Sequence, residues 1–360
     1  MELKNKLVAR SLMQALAAAG LLGALPVTAT LAAHADDNLA DDSRGVVDSR
    51  PEVEAWHDAI KQAPPMAEGC FHAVYPSLNW VEEACQEVKF RSTPRPPNRG
   101  PSTDSTTQPD TVGNGYDYSA RTANNTRSAV GSFPTVSGVT SASTTDYTLQ
   151  LNTNYGPSPT FCSAKGYTNC QTWQQFIYSS NYSGSAGTGV AGAQAFMQDW
   201  LFLTSSDYRR KHCPSGWNSY SAQYACWKNS SGVAVSAVAL SSLAQVTLTG
   251  SASTTGNDTV TFTYGTTAKA VSQAGSTLYI GSTWNQSEFN VVGNGGGSGA
   301  YFNPGSALAV RVAVNDGTAN APTCLGPSNG GSTGETNNLT LGTCTTSSGT
   351  TPYIQFTESN

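Results

Sequence analysis

From about residue 113 onward, apolar and polar side chains alternate in short runs rich in Val, Thr, Tyr and Phe, separated by Gly, Asn and Ser. Alternation of period two puts successive side chains on opposite faces of a strand. Residues 128–140, 147–154, 173–178, 196–203, 234–248, 259–264, 277–280, 288–292 and 308–314 are predicted as strands on that basis. Gly293-Asn294-Gly295-Gly296-Gly297 is a turn signal. No helix-period stretch of useful length follows residue 113. A single sheet would leave its apolar face wet, so many short strands without helices predict two antiparallel sheets packed face to face. The expected fold is all-β, a two-sheet antiparallel sandwich of the lectin-like jelly-roll type, with a small disulfide-closed N-terminal extension.

The N-terminal third reads differently. Lys4, Lys6 and Arg10 precede an uncharged, mainly apolar stretch from Leu12 to Ala29, and Ala33-His34-Ala35 places small residues where a signal peptidase cuts. Residues 1–35 are therefore expected to be a signal peptide. Residues 36–66 read as a leader or pro-segment with one helical hint: Ser49 can cap, Pro51 suits a first turn, and Val53, Trp56 and Ile60 share a face. Residues 67–112 are expected to form a Cys-closed island with a short strand through Phe71, Ala73 and Tyr75. The Pro-rich linker Pro94-Arg95-Pro96-Pro97-Asn98-Arg99-Gly100-Pro101 ends that stretch. Residues 113–360 are assigned to the sandwich.

Eight cysteines remain, Cys70, Cys85, Cys162, Cys170, Cys213, Cys226, Cys324 and Cys344. An even count in an exported chain reads as disulfides, and the absence of any C-x-x-C spacing argues against zinc. Their spacing favours joining near neighbours, 70 to 85, 162 to 170, 213 to 226 and 324 to 344, among the roughly 105 connectivities that eight cysteines allow. Only 12% of residues are charged and the net charge is −5; ordinary domains carry about a quarter. That balance offers phosphate no attractive field and excludes a general nucleic-acid binder. The expected chain is a secreted monomer, extracellular or periplasmic, with no membrane span once the signal is removed. The cluster Arg209-Arg210-Lys211-His212 reads as a solvated loop or a nicking site rather than a binding patch.

Chemistry-bearing residues are few. His57, His72 and His212 are the histidines outside the signal, and neither a G-x-S-x-G elbow nor H-E-x-x-H occurs. Serine and metal hydrolases are therefore poor readings. Two carboxylates, Asp199 and Glu288, fall inside strand patterns. In Ser287-Glu288-Phe289-Asn290-Val291-Val292 the apolar Phe289 and Val291 point to the core and Glu288 to the open face. Trp200 and Phe202 share a face opposite Asp199, which is expected beside Glu288. In Thr172-Trp173-Gln174-Gln175-Phe176-Ile177-Tyr178 one of the two amides must share that surface.

Trp173-Gln174-Gln175, then Asp199-Trp200, then Ser287-Glu288-Phe289 followed by Gly299-Ala300-Tyr301-Phe302-Asn303, occur in an order that resembles the glutamic peptidases, or eqolisins, over about residues 128–315. Asp199 stands where that family has Glu, and Phe289 where it has Trp. The resemblance implies an acid-type endopeptidase acting on polypeptides. Glu288 would be general base and acid, Gln174 or Gln175 the oxyanion-stabilising amide, and Asp199, Trp173 and Tyr178 residues of the groove. No metal or organic cofactor is implied. A second reading uses the same face as a lectin-like carbohydrate- or surface-binding module without catalysis, stacking sugar rings on Trp173, Tyr178 and Trp284. A purely structural exported protein is the third.

Overall fold

A computed structural model describes residues 51–88, 117–140, 146–180, 192–294, 299–326 and 336–360. All of them belong to one compact unit, Val46–Asn360. The expected signal peptide, the Pro-rich stretch and residues 295–297 of the Gly293–Gly297 turn lie outside the described residues.

The fold is an all-β sandwich. Its first sheet runs in the order Thr340–Leu341, Tyr353–Ser359, Ala307–Asn315, Ser128–Ser137, Val246–Ser251, Asn257–Tyr264, Thr267–Ala274, Gly69–Val74, Val81–Glu83. The second runs Thr323–Leu325, Ser119–Arg121, Gln286–Val292, Thr148–Asn152, Cys170–Ser179, Ala193–Leu203, Ala225–Val235, Asn218–Tyr220. Every pairing along both sheets is antiparallel. Between them lies one large core that includes Phe133, Leu151, Phe176, Tyr178, Met197, Leu201, Phe262, Phe289 and Phe356.

Two strand glycines set how closely the sheets approach. A Cβ on Gly131 would lie 2.1 Å from Cδ2 of Phe289, and one on Gly250 would lie 2.3 Å from Cδ2 of Phe176. Each ring of the second sheet therefore occupies space against first-sheet backbone that has no side chain there.

The island at residue 67 joins the larger fold. Strand Gly69–Val74 pairs with Thr267–Ala274 and extends the first sheet. Helix Pro51–Gln62 buries Val53, Trp56 and Ile60. Trp56 and Ile60 pack with Ala73 and Ala268, and Trp56 Nε1 donates to the Ser77 carbonyl at 2.7 Å. Disulfides join Cys70 to Cys85, Cys162 to Cys170, Cys213 to Cys226 and Cys324 to Cys344. The basic cluster forms the last turn of helix Ser205–Lys211, where cations suit the exposed carbonyl end; Arg210 pairs with Asp207 at 3.2 Å.

Three local expectations are corrected. The stretch 234–248 is not one strand: Ala225–Val235 ends, a 3-10 turn Leu240–Gln245 intervenes, and Val246–Ser251 begins anew. Leu240 and Leu243 both turn inward at a spacing of three, which alternation had hidden. Residues 277–280 are not a strand either, because Tyr279 takes a left-handed backbone (φ 57°) between two 3-10 turns. Strand Thr267–Ala274 went unseen because Thr-Ala-Lys-Ala shows little contrast between its faces.

Candidate active site

The outer face of the second sheet, opposite its core-facing side chains, carries a transverse row of polar side chains that reaches the first-sheet residue Glu358 at one end. Strand register aligns Glu288 with Asn152, Asn152 with Gln175, Gln175 with Gln198 and Gln198 with Asn229. The neighbours at odd register, Phe289, Leu151, Phe176 and Met197, point into the core. Alternation thus forces Glu288, Asn152, Gln175 and Gln198 outward together. All four are buried nonetheless.

Burial of amides and carboxyls is costly unless they bond to one another, and here they do. Gln150 Nε2 donates to Thr148 Oγ1 at 3.0 Å, and Gln150 Oε1 accepts from Gln175 Nε2 at 2.8 Å. The same Nε2 donates to Asn152 Oδ1 at 3.2 Å. Asn152 bonds Glu288, which also shares a hydrogen bond with the carboxyl of Asp117. Asn290 Nδ2 then donates to Asp117, and at 2.7 Å to Glu358 Oε1. At the other end Gln198 Nε2 donates to Asn229 Oδ1 at 2.8 Å, and Trp200 Nε1 donates to Gln198 Oε1 at 2.9 Å. Two buried atoms of this row have no hydrogen-bond partner among the described residues: Glu288 Oε2 and Gln175 Oε1.

Burial, then the charge of Asp117 and the hydrogen bond to it, hold the Glu288 carboxyl well above the usual range; the bond from Asn152 works the other way. Burial first and Asp117 second raise Glu358 likewise. Beside the Asp117 carboxyl, Glu288 thus favours its protonated form. Among the described residues no group of three or more His, Cys, Asp or Glu could hold a metal ion.

Beside the polar row runs an aromatic one, with Trp173, Trp200 and Trp227 in register. Successive ring centroids lie 6.5 and 6.1 Å apart. Trp173 and Trp200 are buried with Phe202, and Tyr155, Tyr220 and Trp227 pack against them.

Of the residues singled out from the sequence, Glu288, Gln175 and Trp173 come to this face. Gln174, the other of the two amides, does not, and neither do Asp199, Tyr178 and Trp284, whose expected placement this corrects. Gln174 Nε2 donates to Asp199 Oδ1 at 2.9 Å and crosses to Asp258 Oδ2 of the first sheet at 3.2 Å. Gln273 Nε2, also of the first sheet, reaches the two Asp199 oxygens at 3.1 and 3.0 Å. Asp199 is thus an internal link between the sheets. Burial raises it, against the pull of Lys228 and the two amides. Asp258 is pushed up to about 7, by burial and then by the Asp199 charge. Tyr178 stacks on Phe262 at 4.5 Å, and Trp284 lies 5.6 Å from Phe176, both in the core. A glycan platform built on Trp173, Tyr178 and Trp284 is therefore not assembled. Asp199 was misplaced because Trp200 and Phe202 face outward into an aromatic patch of their own, so aromatic character does not mark the inner face.

Asn152, Gln150 and Asp117 complete the network and escaped the sequence reading. Leu149-Gln150-Leu151-Asn152 carried the signal, since its alternation puts both amides on one face. Asp117 lies before a three-residue strand and had none.

No family model matches this chain, and no curated protein matches it. Among solved structures, it is similar to scytalido-glutamic peptidase bound to a peptide-based transition-state analog: 16% identity over 69% of this chain and 95% of that one, TM-score 0.25. It is similar also to SCP-B, an eqolisin peptidase in complex with the tripeptide Ala-Ile-His: 13% identity over the same shares, TM-score 0.24. The likeness is weak and at the level of fold.

Proposed function

We propose that the outer face of the second sheet hydrolyses peptide bonds, as in a glutamic endopeptidase, in a secreted (extracellular or periplasmic) protein. The observation that carries this is the row on three adjacent strands: an acid, Glu288, and two amides, Asn152 and Gln175, on one face, with an unpartnered buried oxygen on both Glu288 and Gln175. The reactive form is the one in which Glu288 is the carboxylate. Glu288 takes a proton from water as its oxygen attacks the scissile carbonyl carbon. The oxyanion that forms accepts a hydrogen bond from the Gln175 amide, which gives up its longer, 3.2 Å bond to Asn152 in exchange. Glu288 then returns the proton to the leaving nitrogen as the C–N bond breaks, releasing an acid and an amine. Asn152 keeps Glu288 oriented throughout. Gln175, not Gln174, is the amide of this reaction, and Asp199 has no part in it.

The test is cleavage of an unfolded protein by the full chain across pH 3–7, beside Glu288→Gln. The wild type should cleave, with a bell-shaped profile set by the Glu288–Asp117 pair. The variant should lose about 100-fold or more of the rate. Cleavage by both forms, or by neither at any pH, removes Glu288 as the catalyst.

A further inference from the structure

Near the Asn229 end of the polar row, the chain's own segment Gln86–Val88 lies on the second sheet without belonging to any of its strands. Gln86 and Gly232 exchange two backbone hydrogen bonds, each 2.8 Å, at an isolated antiparallel bridge on the edge of strand Ala225–Val235. Gln194 Nε2 donates to Gln86 Oε1 at 2.6 Å, and Asn229 Nδ2 donates to the Val88 carbonyl at 3.2 Å. The Val88 side chain drops onto Ile177 and Phe196, a small apolar cluster on the outer face that is separate from the main core. Gly232 is required there for space: a Cβ would lie 2.6 Å from Val88 Cγ2.

These contacts are those by which a sheet binds an extended peptide. Main-chain bonds to an edge give affinity, a side-chain amide holds a peptide carbonyl, and a hollow for an alternate side chain gives selectivity. Strand Ala225–Val235 has the room because its register slips between Asn229 and Gly232. Partner strand Asn218–Tyr220 covers only Ala225 to Trp227, leaving the Gly232 edge to other occupants. The occupant here is tethered just upstream by the Cys70–Cys85 disulfide.

We propose that the Gly232 edge, Asn229, Gln194 and the Ile177–Phe196 hollow form a peptide-binding subsite. It accepts extended polypeptide with a branched aliphatic side chain in the hollow, and the chain's own Gln86–Val88 occupies it. That the bound peptide is also a substrate rests on the peptidase reading; the binding does not. Asn229 adjoins Gln198 and Gln175 in the polar row, so a peptide seated at Gly232 and running toward Glu288 passes over the proposed reacting groups.

The test uses a labelled peptide of residues 84–90 with Ser for Cys85, titrated by fluorescence anisotropy against the full chain. In the wild type the internal segment competes at the high effective concentration of a short tether, so the peptide binds weakly. Val88→Asp expels the internal segment and should bind the peptide at least about tenfold more tightly, and Val88→Ala should shift affinity the same way by less. Adding Gly232→Ala to either variant should remove that gain, because the new methyl fills the space of the peptide's valine, and a peptide with Asp at the valine position should not bind. Near-UV circular dichroism matching the wild type identifies the folded variants, and Val88→Ala stands in should Val88→Asp not fold. Equal affinity for wild type and folded Val88 variants, or undiminished binding after Gly232→Ala, overturns the proposal. Tight binding without cleavage at any pH sinks the peptidase reading and leaves the subsite standing.

Discussion

Replacing Asp258 by Asn should change how stability depends on pH more than it changes stability itself. Asp258 is fully buried between the sheets, and its carboxyl is pushed from 3.8 up to about 7. The folded protein therefore keeps a proton that the unfolded chain releases above pH 3.8. A group raised in this way contributes its full stability below the unfolded value and loses it as pH rises toward the folded one. The gap between 3.8 and about 7 corresponds to about 4 kcal/mol lost by pH 7, of which about 3 kcal/mol is lost above pH 4. Asn has nearly the same shape, and its carbonyl can still accept from Gln174 Nε2. The cost is the long 3.4 Å bond from the Ser253 amide, about 1 kcal/mol and independent of pH. Asp258→Asn should thus be slightly less stable than wild type at pH 4 and more stable at pH 7, the curves crossing between. Urea denaturation followed by tryptophan fluorescence at pH 4, 5.5 and 7, with disulfides intact, reads this directly. Asp199, Glu288 and Glu358 are raised as well and keep some slope in the variant. Asp207 and Asp316 are lowered and act only toward the acid end, where their contribution is lost. Parallel curves for variant and wild type would show that Asp258 is ionised in the folded protein and would refute the reasoning.

Asn152→Ala should leave folding cooperative but cut peptide cleavage by about tenfold or more and shift the pH profile, since the carboxyl of Glu288 loses the bond that favours its ionised form; an unmoved profile would reduce Asn152 to packing. Gly131→Ala should cost about 1–3 kcal/mol by driving a methyl into the Phe289 ring. Adding Phe289→Leu should recover part of that cost, and additive effects in a double-mutant cycle by chemical denaturation would deny the contact. Tyr178→Phe should cost about 1–2 kcal/mol, because the buried Val238 amide donates to the Tyr178 hydroxyl at 2.9 Å and loses its acceptor. Thermal melts compared with Tyr147→Phe, which frees the Val238 carbonyl and the Tyr147–Tyr178 bond but leaves the Val238 amide its acceptor, would show which loss matters more.

How far the chain can be read without its fold depends on whether a face is marked by contrast. Phe289 and Val291 flank Asn290, and the apolar pair fixes Glu288 outward, so one end of the proposed site was legible. Strand Ala193–Leu203 offers no such contrast, because every one of its residues is buried and its two faces both carry aromatic or apolar side chains. There the rule that aromatics face the core fails, and it sends Asp199 to the wrong side and prefers Gln174 to Gln175 as readily as the reverse. What decides between the two amides is register: Gln175 stands opposite Asn152, which stands opposite Glu288, while Gln174 stands opposite Asp199. Register is a pairing between segments far apart in sequence, and a one-residue slip exchanges the faces of a whole strand. The same limit explains Asp117 and Val88. Each acts through a partner more than a hundred residues away or on a neighbouring strand, and neither stands in a local pattern that would announce it. A site made of one row across several strands is therefore visible only in fragments along the chain, and the fragment that carries the strongest local signal, here Glu288, is the one that reading from sequence can find.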